Sequence, residues 1–223
     1  MVSKEEKILM EYKKLYVPAI SDAMDRLGLR QGFMSQEIRP ICPLNSVATK
    51  IVGYACTIKV AESREAKDSD LLEEFKAFES IKKNSAVVLD GGGTWVSSLW
   101  GQLLSTEATR RGAAGAVVDG PVRDTQTVTQ IGFPVFARGF VPSSSRNRMK
   151  FVGCDITVTC GGVRVSPGDL VMADIDGVVV VPKARIEAVL DEAKKVAEDD
   201  VWVLGQIKSG RTLAEIEREK PVP

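Results

Sequence analysis

Two short apolar runs, 86–89 and 116–118, each end in Asp-Gly, at Asp90-Gly91 and Asp119-Gly120. That is the pattern of buried strands in an α/β layer that break into turns. Between them a helix is expected over 101–111, with Arg110 and Arg111 in its last turn and Gly112 as its C′ residue. Gly91, Gly92 and Gly93 leave the first strand, and the second leads into Pro121-Val122-Arg123-Asp124. The segment reads strand, open loop, helix, strand, then an adjacent cation and carboxylate.

The rest of the chain supplies the layers around this unit. Residues 4–15 place Ile8, Leu9, Tyr12 and Leu15 at helical spacing. A second helix carries ISDAMDRLG, with Pro18 in its first turn, Gly28 as its stop, and Ser21, Asp22 and Asp25 capping or solvating it. Residues 31–46, with Pro40 and Pro43, read as a loop, and 51–58 as a strand. The amphipathic stretch 69–82 is expected to bury Leu71, Leu72, Phe75 and Phe78 and to solvate its Glu-Lys clusters. Lys59 reads as a solvated strand-end residue rather than a Schiff-base lysine.

Further on, 125–130 is a helical turn, 134–137 a brief strand and 142–148 a polar loop. Residues 151–165 suggest a hairpin turning at Gly161-Gly162. Residues 170–173 and 178–181 form a tight two-strand unit around Asp176-Gly177. A long helix over 183–198 and a short one over 212–218 follow. No linker or composition break argues for two domains, so 1–223 reads as one α/β domain with an N-terminal helical segment and a C-terminal helix.

Charge and composition narrow the chemistry. Lys plus Arg equal Asp plus Glu at 30 each, which gives no electrostatic case for nucleic acid or an anionic membrane as partner. The N-terminus has no hydrophobic signal core and no apolar run approaches membrane-spanning length, so a cytoplasmic protein is expected. Cys42, Cys56, Cys154 and Cys160 show no C-x-x-C pairing and read as reduced, mostly buried thiols. The absence of histidine removes Ser-His-Asp and Cys-His catalysis and His-based zinc sites. An enzyme built this way must use carboxylates, Arg, Lys, Tyr, backbone amides, water or an oxygen-held Mg²⁺ or Mn²⁺.

The candidate chemistry sits where the pattern placed a cation beside a carboxylate. A helix opening at Gly101 points the N–H groups of Gln102, Leu103 and Leu104 outward, a seat for a carboxylate or phosphate. Arg123 offers a planar fork for a second anionic oxygen, and Asp124 can ligate a hard divalent cation. Taken alone, Arg-Asp is a common dipeptide and reads first as a surface ion pair in a turn. Gly91 and Gly93 begin a G-x-G, but Val96 stands where a dinucleotide fingerprint needs its third glycine.

With these residues laid out, the sequence resembles the RraA-like family. The resemblance is carried by ISDAMDRLG, VVLDGGG, WGQLLSTEATRRGAAGAVVDGPVRD, FPVFARG and VSPGDLVMADIDGVVVVP. That family holds regulators of ribonuclease E activity and class II 4-hydroxy-4-methyl-2-oxoglutarate aldolases, and members are also labelled demethylmenaquinone methyltransferase-like. The resemblance implies an α-β-β-α sandwich with a phosphohistidine (swivelling) domain-like core. It also implies homotrimers or homohexamers with sites at subunit contacts. Asp124 would match the Mg²⁺ ligand, Arg123 the group binding the pyruvyl unit, and the amides of Leu103 and Leu104 the seat of the pyruvate carboxylate.

One position departs from the aldolase pattern. Aldolase members carry an acidic residue, holding the catalytic water, where this chain has Gln102, 21 positions before Arg123. Members that only inhibit the ribonuclease lack the Arg-Asp pair, which is intact here. The expectation is therefore a metal-dependent lyase acting on a small 2-oxo acid, by aldol cleavage or oxaloacetate decarboxylation, with Arg123, Asp124 and Gln102 as its catalytic residues. The rival expectation is a non-catalytic regulator that binds a ribonuclease or another protein. No adenosylmethionine loop supports a methyltransferase.

Overall fold

The computed structural model describes residues 2–30, 32–42 and 49–220. In chain order it opens with α1 (Lys4–Tyr12), α2 (Val17–Arg26) and the short β1 (Arg39–Pro40). Then come β2 (Ile51–Glu62), α3 (Asp68–Ala77), β3 (Ser85–Asp90), α4 (Gln102–Arg110), β4 (Gly115–Val122), α5 (Thr125–Ile131) and β5 (Val135–Phe140). Strands β6 (Met149–Cys154), β7 (Val158–Cys160), β8 (Val163–Val165), β9 (Leu170–Asp174) and β10 (Gly177–Val181) follow, and then α6 (Ile186–Lys208) and α7 (Leu213–Glu219). Within the expected loop over 31–46, Gln31, Pro43 and Ser46 lie outside the described residues, and Pro40 belongs to β1.

The chain folds into two compact units, 1–30 with 184–223, and 31–183. The smaller unit is helical. Ser3 and Thr212 each form a capping box that starts α1 and α7, and Pro18 sits in the first turn of α2. Within it α2 lies against α6, and the Tyr12 hydroxyl donates to the Ile186 carbonyl at 2.7 Å.

The larger unit is α/β, as the sequence pattern implies. Its main sheet runs β1-β5-β4-β3-β2-β9-β10, with β6 also paired to β2. Strands β2, β3, β4 and β5 are parallel neighbours in sequence order. A monotonic order with right-handed crossovers sends α3, α4 and α5 to the same face. There Ile58, Val87, Leu89 and Val118 pack with Phe78, Trp100, Ala108, Val128 and Phe133. A parallel sheet needs its second face covered as well. That cover is β: Val88, Val117 and Phe136 pack with Val158, Val163 and Val165 of the β7–β8 hairpin and with Val171, Val178 and Val180.

Several elements differ from the sequence expectation: β2 runs on to Glu62, and α6 runs from Ile186 to Lys208 instead of ending at 198. β4 does not break at Asp119-Gly120 but continues to Val122, with a register shift between Val118 and Pro121 where it pairs β5. The hairpin is confined to β7 and β8, turning at Gly161 (φ 56°) and Gly162 (φ 81°), whereas β6 joins the main sheet beside β2. On α3 the buried residues are Glu74 and Ala77, while Leu72 is 53% and Phe75 44% exposed. The turn at Asp176-Gly177 joins β9 to β10 as expected. No helix among the described residues is long and apolar enough to cross a membrane.

Candidate active site

The site forms at the carboxyl ends of β3 and β4, where open parallel sheets present their loops. Asp90 and Asp119, the last acidic groups of the two apolar runs, are buried there and fully partnered. Asp90 pairs with Lys59 at 2.9 Å and accepts from the amides of Gly92 and Thr159. Asp119 pairs with Arg138 at 2.5 Å and accepts from Gly161 N–H at 2.8 Å. Burial pushes the Asp119 carboxyl above its usual range, the Gly161 amide pulls it down, and the charge of Asp90 raises it again. The ion pairs tie neighbouring strands of the main sheet, and the Thr159 and Gly161 amides fasten the β7–β8 hairpin to the two carboxylates. Lys59, part-exposed and inside β2 rather than at its end, is the ion-pair partner of Asp90.

From β3 the chain leaves through Gly92 (φ 64°) and Gly93 (φ 71°), a left-handed pair that side chains resist. It then runs back along the end of β4. Leu99 N–H donates to the Pro121 carbonyl at 2.8 Å, Trp100 bridges Val122, and Arg123 N–H donates to the Trp100 carbonyl at 3.0 Å. Trp100 is buried, stacked on Phe133 at 6.1 Å, and its indole N–H donates to Ser105 Oγ at 2.8 Å. Ser105 lies in the first turn of α4, so the tryptophan fixes where that helix begins.

This arrangement carries Gly101 against Arg123 and Asp124. A Cβ on Gly101 would stand 2.6 Å from Asp124 Oδ2 and 3.3 Å from Arg123 Cγ, a space only glycine leaves open. Asp124 itself takes the left-handed conformation (φ 56°, ψ 30°), sparsely populated for a residue with a side chain. Its Oδ2 accepts from Gln102 N–H at 3.2 Å, and Arg123 Nε lies 3.8 Å from the same oxygen. The expected row of three open amides is therefore shortened to two, because Asp124 caps the first. The amides of Leu103 and Leu104 have no protein acceptor among the described residues.

A cleft of about 230 Å³ lies against these groups, walled by Gly101, Leu103, Leu104, Arg123, Asp124 and, from α3, Glu74. A second hollow shares Arg123 and Asp124 and includes Thr125 and Phe140. The Gln102 side chain is exposed and lines neither. Glu74 is the residue that sequence reasoning missed. It is 5% exposed, and burial alone pushes its carboxyl up to about 7. Its spacing, three after Leu71 and four before Phe78, was the available signal, since those positions share a helix face.

The donor set is sparse. Among the described residues no group of three or more Cys, Asp or Glu converges on a point. Asp124 stands alone, and its Oδ1 accepts no protein hydrogen bond among the described residues. A single carboxylate oxygen fits an ion such as Mg²⁺ that keeps most of its water, not a protein-caged Zn²⁺ or Ca²⁺. The four thiols are free, and three of them are buried.

Known proteins resemble this chain along most of its length. The family model described as RraA-like, Aldolase/RraA, matches residues 17–180. A provisionally named 4-hydroxy-4-methyl-2-oxoglutarate aldolase of Halalkalibacterium halodurans is 32% identical over 200 residues, covering 90% of this chain and 88% of that one. Protein DlpA of Legionella pneumophila is 32% identical over 194 residues, 87% of this chain but 30% of DlpA, so the chain spans under a third of that relative. Among solved structures, Streptomyces coelicolor RraAS2, described as an unusual member of the RNase ES inhibitor RraA family, is 28% identical with a TM-score of 0.77. The match covers 88% of this chain and 95% of RraAS2.

Proposed function

This chain belongs to the RraA-like family, and from that premise we propose that it is a divalent-metal-dependent lyase cleaving a C–C bond of a small 2-oxo acid through the enolate of pyruvate. The observation that carries the proposal is the convergence of Arg123, Asp124 and the open amides of α4 on one cleft. The amides of Leu103 and Leu104 take the substrate carboxylate beside the 2-oxo group. The planar fork of Arg123 takes the 2-oxo oxygen, where charge collects as the C–C bond breaks. The electron pair of that bond moves onto this oxygen and leaves the enolate. Asp124 would hold a Mg²⁺ or Mn²⁺, which supplies Lewis-acid polarisation when bound.

Gln102 sets the balance of reactions in this proposal. Aldol cleavage removes a hydroxyl proton as the bond breaks and wants a base or a base-held water. A neutral amide orients water without raising its basicity. Decarboxylation of oxaloacetate has no hydroxyl to deprotonate, so it is the favoured activity. The exposed side chains of Phe75, Leu103 and Phe140 around the site support self-association, and family membership makes a homotrimer or homohexamer the working form of this proposal.

The test is a panel of 2-oxo acids assayed for pyruvate release, with and without Mg²⁺. Metal-dependent release of pyruvate supports the lyase. The likeness to RraAS2 favours one other reading, a regulator of a ribonuclease. A protein that inhibits a ribonuclease and releases no pyruvate from any of the acids takes that reading.

A further inference from the structure

The cleft has a second carboxyl wall that the lyase reading leaves unused. Glu74, on α3, lines the same cleft as Gly101, Leu103, Leu104, Arg123 and Asp124. It is 5% exposed, yet among the described residues it makes no hydrogen bond and no ion pair. Its oxygens are not sealed in. Ser97 Oγ is the sole fully enclosed side-chain polar atom without a partner among the described residues, so the Glu74 carboxyl keeps contact with the cleft. A largely buried carboxyl without a protein partner costs stability when it ionises.

We propose that Glu74 is the proton-transfer group of this site, delivering a proton to C3 of the pyruvate enolate and removing it in the reverse direction. The inference rests on the lyase reading. The balance is simple. The enolate electron pair returns from oxygen to C3, C3 takes the proton from the Glu74 carboxyl, pyruvate forms, and water reprotonates the carboxylate. It gives a chain without histidine a group poised near neutrality, because burial holds Glu74 at about 7.

The charged and ionisable groups on the surrounding elements are Arg123, Asp124 and Arg146 on the cleft wall, Lys150 and Cys154 on β6, and Glu79 in the turn after α3. None of them is paired with Glu74. Arg146 is held by Asp68 at 2.7 Å, and Glu73 on the same helix is held by Lys76 at 2.8 Å.

The experiment follows exchange of the pyruvate methyl protons in D₂O by proton NMR, at fixed Mg²⁺, with the full chain and with Glu74→Gln and Glu74→Asp. Abstraction from C3 needs the carboxylate, so exchange by the native protein rises with pH through about 7 and then levels. Glu74→Gln is expected to lose about 10²–10⁴-fold in rate, together with that pH limb. Glu74→Asp, which keeps the carboxyl, recovers part of both. Pyruvate binding, read as quenching of tryptophan fluorescence, should survive in Glu74→Gln and shows that the variant is folded. A Glu74→Gln protein that exchanges at the native rate, or a native rate with no pH limb, overturns the assignment while leaving the lyase intact. A native protein that neither exchanges pyruvate nor releases it from oxaloacetate overturns both.

Discussion

A buried ionisable carboxyl leaves a mark on stability that can be worked out before any activity is measured. Glu74 titrates at 4.5 in an unfolded chain and at about 7 in the folded one. Each tenfold in the ionisation constant is worth about 1.4 kcal/mol, so the ionised native state carries a penalty of about 3 kcal/mol. The sign follows from proton counting. Below about pH 4.5 the residue is protonated in both states and there is no penalty. As pH rises from there to about 7 the unfolded chain releases its proton and the native protein does not, so stability falls. Above about pH 7 the full penalty applies. Glutamine has nearly the same shape and no charge to desolvate, and among the described residues it forfeits no hydrogen bond.

Glu74→Gln should therefore match the native protein near pH 4.5 and exceed it by up to about 3 kcal/mol near pH 8. Urea unfolding of both proteins across that range, at one protein concentration, measures the difference. With slopes of about 1–3 kcal/mol per molar urea, the midpoints should separate by about 1–3 M at the alkaline end. Two stability curves that stay parallel across the whole range refute the reasoning. A carboxyl that costs this much more than the neutral amide of the same shape fits a group placed there for chemistry.

Four other outcomes test the remaining geometry. Asp124→Ala should abolish pyruvate release with unchanged circular dichroism, and dialysis into EDTA should do the same to the native protein; full activity in EDTA would remove the metal from the proposal. Arg123→Lys, which replaces a planar fork by a point charge, should cost about 3 kcal/mol or more in kcat/KM. Gly101→Ala should fold, because the clash falls on the movable end of Asp124, but the displaced carboxylate should lower kcat/KM by about tenfold or more, or about 1.4 kcal/mol. The native protein should decarboxylate oxaloacetate faster than it cleaves 4-hydroxy-2-oxo acids, and Gln102→Asp should shift that ratio toward cleavage, both measured at one pH and one Mg²⁺ concentration.

What the sequence determined alone was whatever depends on near neighbours. The α4 start at Gly101, the Gly161-Gly162 turn, the Asp176-Gly177 turn and the adjacency of Arg123 and Asp124 are local facts of spacing and backbone chemistry. The tertiary structure decided whatever depends on who lies alongside. Asp119-Gly120 carries a turn signal, yet it stays in β4 because β5 pairs Pro121 and Val122 on one side and Trp100 bridges Val122 on the other. A strand ends where its ladder partners end, and those partners are distant in sequence. The helical period of α3 marks a stripe through Leu71, Glu74 and Phe78, but it cannot say how much of each flank is covered. Leu72 and Phe75 therefore face outward while Glu74 is enclosed. Likewise Asp124, 22 positions away, takes the Gln102 amide. Hydrophobicity and turn propensity are properties of residues, whereas burial and hydrogen-bond partnership are properties of the packed neighbourhood, and the packed neighbourhood makes this site.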